Sequence, residues 1–168
     1  MKNHTRPTVR LKPKAEARAI RHGFPWVYGD ELVTDRRTKG LQPGTLAVLE
    51  DAERRPMGLA AVTPSSRIIA RMLDRDPDAE ISEEWFAARI ARALVLRETL
   101  YDAPFYRLVH AEADGLPGLV IDRFGAAAVM LVYLIAARIA GRLAGVLAAL
   151  VLGFSPMALA FAQEARSY

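Results

Sequence analysis

Gln42-Pro43-Gly44, Leu46-Ala47-Val48-Leu49, Met57-Gly58-Leu59-Ala60-Ala61-Val62, Thr63-Pro64-Ser65-Ser66 and Arg67-Ile68-Ile69-Ala70-Arg71-Met72-Leu73 follow one another along residues 42–73. The Pro-Gly pair marks a turn, because proline presets φ and glycine tolerates positive φ. The first apolar run ends in the charged turn Glu50 to Pro56, the second in Thr63 to Ser66. Runs this short with turn residues between them predict strands of a small barrel or sandwich.

Toward the N-terminus, residues 1–14 are basic, and Pro7 and Pro13 keep them extended. Ala15 to His22 predicts a short helix stopped by Gly23. Phe24-Pro25-Trp26-Val27-Tyr28 is an aromatic cluster with a fixed bend. Toward the C-terminus, Asp74 to Glu80 is acidic, contains Pro77 and reads as a linker. Ser82 is suited to cap a helix, with Glu83 and Glu84 at its positive end. Phe86, Ile90, Ala93 and Leu94 fall on one face of that helix, which should run to about Leu100. Tyr106 to His110, Leu119 to Asp122 and Ala126 to Leu134 are strand candidates, separated by turns at Asp114-Gly115 and Arg123-Phe124-Gly125.

The chain has 168 residues, 52% hydrophobic and 25% charged, a globular composition. It has no cysteine, which excludes disulfides, thiolate metal sites and cysteine nucleophiles. That composition fits a reducing cytoplasm. His4, His22 and His110 lie far apart in sequence, so no metal site is expected. The net charge is +4, yet residues 1–40 alone carry 10 Lys/Arg against 4 Asp/Glu. A basic end of this kind suits a polyanion, most often nucleic acid, or is simply a solvated face. The polar N-terminus lacks the apolar core of a signal peptide.

The character changes after about Met130. From Leu143 to Gln163 no residue is charged, a stretch of about 21 residues, between Arg142 and Glu164. It is long enough to span a bilayer as a helix, although Gly153, Ser155 and Pro156 interrupt it. It reads either as a membrane segment or as a buried helix. Leu131 to about Ala162 is expected to be helical, broken near Gly153 to Pro156.

Three stretches together resemble one family. Arg21-His22-Gly23-Phe24-Pro25-Trp26-Val27-Tyr28 is close to an R-H-P-W-V-F pattern, with Gly23 inserted. Gly58-Leu59-Ala60 is followed by Ser65-Ser66-Arg67-Ile68, and the third stretch runs from Tyr106-Arg107-Leu108-Val109-His110 through Ala113-Asp114-Gly115-Leu116-Pro117-Gly118 to Asp122-Arg123-Phe124-Gly125. The order and content resemble the PUA-domain, S-adenosylmethionine-dependent large-subunit rRNA methyltransferases that make 5-methylcytosine. The resemblance covers about residues 8–130. It implies an α+β chain: a PUA-like RNA-binding barrel over 8–75, a partial α/β middle domain over 80–130, and an apolar helical tail over 131–168 foreign to the rest.

In that family the methyl donor and nucleophilic cysteines belong to a later Rossmann-like domain. No glycine-rich loop here follows a strand and opens a helix, and no cysteine is present to attack a base. The resemblance therefore implies an RNA-binding N-terminal fragment, inactive alone, with no catalytic residue, no metal and no cofactor of its own, S-adenosylmethionine belonging to the complete family member. Asp114 and Asp122 could be paired carboxylates, but their place in a hairpin signature favours turn chemistry.

The tail resembles something else. Val132-Tyr133-Leu134 through Gly141-Arg142, then Ser155-Pro156, then Gln163-Glu164-Ala165-Arg166-Ser167-Tyr168 is similar to a membrane segment of polyprenol-phosphate-sugar glycosyltransferases. The alternative reading is accordingly a membrane-associated glycosyltransferase fragment joined to a PUA domain, cytoplasmic but touching a membrane through 143–163.

RNA binding needs cations for phosphates and flat faces for bases. The candidates are Lys12, Lys14, Arg18, Arg21, His22, Trp26, Arg67 and Arg71, with rRNA as the expected partner. Trp26 either stacks a base or packs in the barrel, and His22 is either an RNA contact or a satisfied loop histidine. Arg67 and Arg71, four residues apart on an expected strand, share a face.

Overall fold

The structure is a computed structural model that describes residues 6–125 and the backbone of 127–131. These divide into two units, before and after the Ile81–Ser82 boundary.

The first unit begins with β1 (Thr8–Arg10), α1 (Ala17–Arg21), β2 (Trp26–Tyr28) and the single-turn α2 (Arg36–Lys39), and continues with β3 (Thr45–Glu50), β4 (Pro56–Val62) and β5 (Ile68–Asp74). The three apolar runs become the meander β3-β4-β5, in register Val48↔Leu59 and Ala61↔Arg71. The full order is β1-β3-β4-β5-β2, with β1 parallel to β3 and β2 antiparallel to β5.

The two edges of this sheet meet. Leu11 and Leu32 form a bridge just beyond β1 and β2. Lys12 donates its backbone N–H to the Glu31 carbonyl at 2.7 Å, and Val33 donates to the Arg10 carbonyl at 2.8 Å. A sheet whose edges share these hydrogen bonds just beyond β1 and β2 has curled into a half-barrel. Its core is Val9, Leu11, Ile20, Val27, Leu32, Ala47, Leu49, Val62 and Ile69 with smaller neighbours. Gly58 makes the β4–β5 irregularity possible. Its φ is +143°, and a Cβ there would lie 2.2 Å from the Asp74 carbonyl oxygen.

Residues 74–80 turn as a linker should, with Asp74 ending β5. Asp74 Oδ1 accepts from the Asp76 N–H and Asp76 Oδ1 from the Asp78 N–H. Arg6 ties this segment down by donating to the Pro77 and Ala79 carbonyls at 3.0 and 2.8 Å.

The second unit comprises α3 (Glu83–Leu100), β6 (Phe105–His110), a 3-10 turn at Ala111–Asp114, β7 (Val120–Phe124) and β8 (Ala127–Leu131). The sheet is antiparallel in the order β6-β7-β8. Ser82 caps α3 as expected, its hydroxyl accepting from the Trp85 N–H at 3.3 Å. A separate hydrogen bond from the Ser82 side chain, with Glu84's own backbone N–H, holds the Glu84 carboxyl below its usual range.

Several expectations need correction. Trp85, not Phe86, joins Ile90, Ala93 and Leu94 against the sheet. Phe86 is left 42% exposed, edge-on to the Trp85 ring at 5.0 Å. An indole one position earlier lies just as close to the apolar stripe, and spacing alone does not choose between the two. The short helix spans Ala17–Arg21 rather than 15–22, and the residues read only as extended or as an aromatic cluster are the edge strands β1 and β2. The one-turn α2 was not expected, and it is held by Asp35, whose carboxylate accepts from the Thr38 N–H at 2.8 Å. Leu131, expected to open a helix, ends β8. The rest of the predicted helical tail lies outside the described residues. Among the described residues no helix is long and apolar enough to cross a membrane, and no cluster of His, Cys, Asp or Glu could hold a metal.

Candidate nucleic-acid interface

Every sequence-predicted RNA contact falls in the barrel unit. Lys12 and Lys14 lie in the turn after β1, both exposed. The Lys12 ammonium donates to the Asp30 carbonyl at 2.8 Å, which draws it toward the β2 turn. Arg18 and Arg21 stand on α1, and both are exposed. Two basic residues near the C-terminal end of a helix complement its partial negative charge, so α1 tolerates them well. His22, just past that helix, places Nδ1 2.8 Å from the Arg18 carbonyl oxygen. One ring nitrogen thereby holds the helix end.

Trp26 is half-buried in β2, with Phe24 edge-on at 5.9 Å. Its indole nitrogen is buried and has no hydrogen-bond partner among the described residues. Its strand register places it opposite Arg71 of β5. Arg71 is half-buried and donates to the Ile68 carbonyl at 3.2 Å. Arg67 lies before β5, exposed, beside the turn Tyr28-Gly29-Asp30-Glu31, where the two segments line an open depression. Arg67 and Arg71 therefore do not share one strand, because β5 begins at Ile68. The structure thus brings Lys12 to the turn that Arg67 also lines, and Trp26 beside Arg71.

Arg21 has a different neighbour. Its guanidinium donates to Asp51 Oδ2, and the carboxylate of Asp51 is only 1% exposed. The same Oδ2 accepts from Arg55 Nε at 2.8 Å. Asp51 Oδ1 accepts from the backbone N–H groups of Glu53 and Arg55 at 3.0 and 2.9 Å. Burial by itself would raise the Asp51 carboxyl. The Arg55 backbone and side chain, with Arg21, outweigh that and hold it well below the ordinary carboxylate range. This tight β3–β4 turn, with Arg54 at φ 67°, wraps around the carboxylate. Sequence reasoning treated Glu50 to Pro56 as a charged turn and missed both Asp51 and Arg55. An Asp two residues before one backbone donor and four before another is a local turn-capping pattern that could have signalled it.

In the second unit, the two aspartates of the hairpin have separate partners. Asp114 forms a bidentate pair with Arg97 at 2.8 and 2.7 Å and accepts from the His110 N–H at 2.6 Å. Asp122 pairs with Arg107 at 2.8 Å, a bond that raises the Arg107 guanidinium above its usual value. Asp114 thus holds its turn, in line with turn chemistry, whereas Asp122 lies within β7 and makes a cross-strand pair with β6. Gly115, at φ 71°, ends the 3-10 turn, and its carbonyl accepts from Arg89 at 3.2 Å.

Residues 9–75 match the family model of the PUA-like domain. The chain is 36% identical over 135 residues to the ribosomal RNA large subunit methyltransferase of Deinococcus radiodurans, covering 76% of this chain and 33% of that protein. It is 36% identical over 123 residues to ribosomal RNA large subunit methyltransferase I of Erwinia tasmaniensis, covering 70% of this chain and 30% of the relative. A solved candidate SAM-dependent methyltransferase from Streptococcus mutans shares the fold, with a TM-score of 0.60 at 15% identity over 82% of this chain and 37% of that one. The chain spans about a third of the length of the curated relatives it matches. None of these relatives is a glycosyltransferase, and the 143–163 stretch that suggested membrane contact lies outside the described residues, so that resemblance has no support. Residues 9–75 form a PUA-like domain, and the chain is homologous over about three quarters of its length to ribosomal RNA large subunit methyltransferases.

Proposed function

We propose that the barrel holds ribosomal RNA for a S-adenosylmethionine-dependent methyltransferase, and that these 168 residues alone bind RNA without transferring a methyl group. The observation that carries the reading is the PUA-like match over residues 9–75, on a barrel whose approach carries the chain's excess of positive charge. Lys14 and Arg18 are exposed and form no ion pair among the described residues, so they are available to phosphates. Lys12 and Arg67 flank the β2 turn, Trp26 lies opposite Arg71 on β5, and His22 stands at the end of α1. A phosphate interface of this kind binds less tightly as salt rises, because each neutralised phosphate releases counterions.

Methyl transfer needs a shaped pocket for the donor, and the homologous segment is only about a third of the relatives' length. The 5-methylcytosine product and the cytoplasmic setting implied by the resemblance belong to the complete protein. Two measurements test the proposal. RNA affinity across a salt series should fall for the Lys12→Ala, Lys14→Ala, Arg18→Ala triple variant, with a shallower slope; an unchanged slope would remove these residues from the interface. Calorimetry with S-adenosylmethionine should show no binding by the isolated chain, and micromolar binding would mean that a donor site lies within it.

A further inference from the structure

We infer that Arg21 and Arg55, clamped side by side on one buried carboxylate oxygen, form a phosphate-binding pair, with Asp51 as the positioning residue behind them. This deepens the RNA-binding reading by naming a site for the backbone phosphodiester.

The geometry has three parts. Asp51 Oδ2 accepts from both Arg21 and Arg55, so two guanidiniums from distant segments are held within hydrogen-bond reach of a single atom. Asp51 itself is fixed by two backbone N–H groups and is almost wholly buried, so it cannot swing away. The guanidiniums, by contrast, face outward, since the Arg21 and Arg55 side chains are 42% and 64% exposed.

A purely structural role would need one cation for one carboxylate. Here two converge, and Glu53 beside Arg55 balances the cluster's charge, so a phosphate has to displace Glu53 from Arg55. Arg21 makes no other bond among the described residues, and Arg55 makes one further ion pair, with Glu53 at 2.9 Å. Glu53 is itself 65% exposed and is free to move aside. The remaining N–H donors form a fork of fixed spacing, the arrangement that suits the non-bridging oxygens of a phosphate better than a flexible lysine would. Arg18, three residues before Arg21 on the same short helix, extends the positive face along the direction a chain of phosphates would follow.

Asp51→Asn makes the experiment decisive, because the two explanations predict opposite signs. The substitution adds a positive charge to the chain. If RNA reads charge alone, binding tightens; if the carboxylate positions the arginine pair, binding weakens. The full 168-residue chain is titrated with a structured RNA hairpin and, separately, with inorganic tripolyphosphate. Arg55→Ala is expected to lower RNA affinity by about tenfold and flatten the log–log salt slope by about one. Arg55→Lys, which keeps the charge, is expected to recover less than half of that loss. Arg55 is largely exposed, so these variants remain informative even if Asp51→Asn unfolds the barrel. Unchanged affinity in both Arg55 variants, or tighter binding by a folded Asp51→Asn chain, overturns the site. Arg55-dependent binding of tripolyphosphate without binding of RNA would keep the site and remove the RNA reading. Failure to bind either probe overturns both.

Discussion

Val27, Leu32, Ala47, Leu49 and Val62 of the barrel are all at 0% exposure, whereas Val95, Leu100 and Phe105 of the helix-and-sheet unit remain 64–66% exposed. Both units are built from short strands and one or more helices, so composition does not explain the contrast. Closure does. The barrel's edge strands meet through the Leu11–Leu32 bridge, and its inner face has nowhere to meet water. Among the described residues the second sheet has three strands and one helix, which packs against one of its faces. Phe105 and Phe124, paired across β6 and β7, are both exposed. A single layer of this size encloses little, and stability follows enclosure more than it follows the number of apolar residues.

The comparison is broken most directly by separating the units. A chain of residues 6–81 should melt cooperatively, followed by circular dichroism, because its core is complete. A chain of residues 82–131 should show no cooperative transition. An equally sharp melt for the second piece would mean that its small core around Leu116, Val109 and Ile121 suffices.

Single residues sharpen the same contrast. Leu49→Ala should cost about 2–5 kcal/mol in urea unfolding, through lost burial and the cavity left in a closed core. Leu100→Ala, at the exposed end of α3, should change stability by no more than about 0.5 kcal/mol. Equal costs at the two positions would show that Leu100 is enclosed in solution. Gly58→Ala should fall between them: its Cβ would strike the Asp74 carbonyl while holding a φ that costs an L-residue on the order of 1–3 kcal/mol. Gly118→Ala, at φ 80° with open space around it, carries the backbone penalty alone and should cost less.

Much of this fold was legible in the sequence because its information is local. The meander needed only three apolar runs and their turns, and the capped helix needed only Ser82 and two glutamates. β1 and β2 were not legible as strands. Three residues each, they are made strands by what they pair with, forty or more residues away. The same limit applies to the site. Lys14 and Arg18 could be named because exposed cations near a basic end are the default. The Arg21–Asp51–Arg55 cluster could not, because Arg21 and Asp51 are thirty positions apart and only the folded barrel joins them. Trp85 and Phe86 show a smaller version of the problem, adjacent aromatics between which helical spacing does not decide.

The acid limb of stability reports on the buried Asp51 carboxylate. Asp51 has a folded-state pKa held far below its unfolded value of 3.8. A group of this kind stabilises the fold fully above its unfolded pKa, and the contribution is lost as pH falls from there toward the folded pKa. The barrel should therefore melt at nearly constant temperature from pH 7 to about pH 5 and then lose about 5 °C by pH 3 through Asp51. In Asp51→Asn that part of the acid limb should vanish, because an amide does not titrate, even though the variant melts lower throughout for want of a charged partner beneath two arginines. Differential scanning calorimetry of the two chains between pH 3 and pH 7 measures this. Superimposable acid limbs for the parent and Asp51→Asn would show that the carboxylate is no better held in the folded barrel than in the unfolded chain.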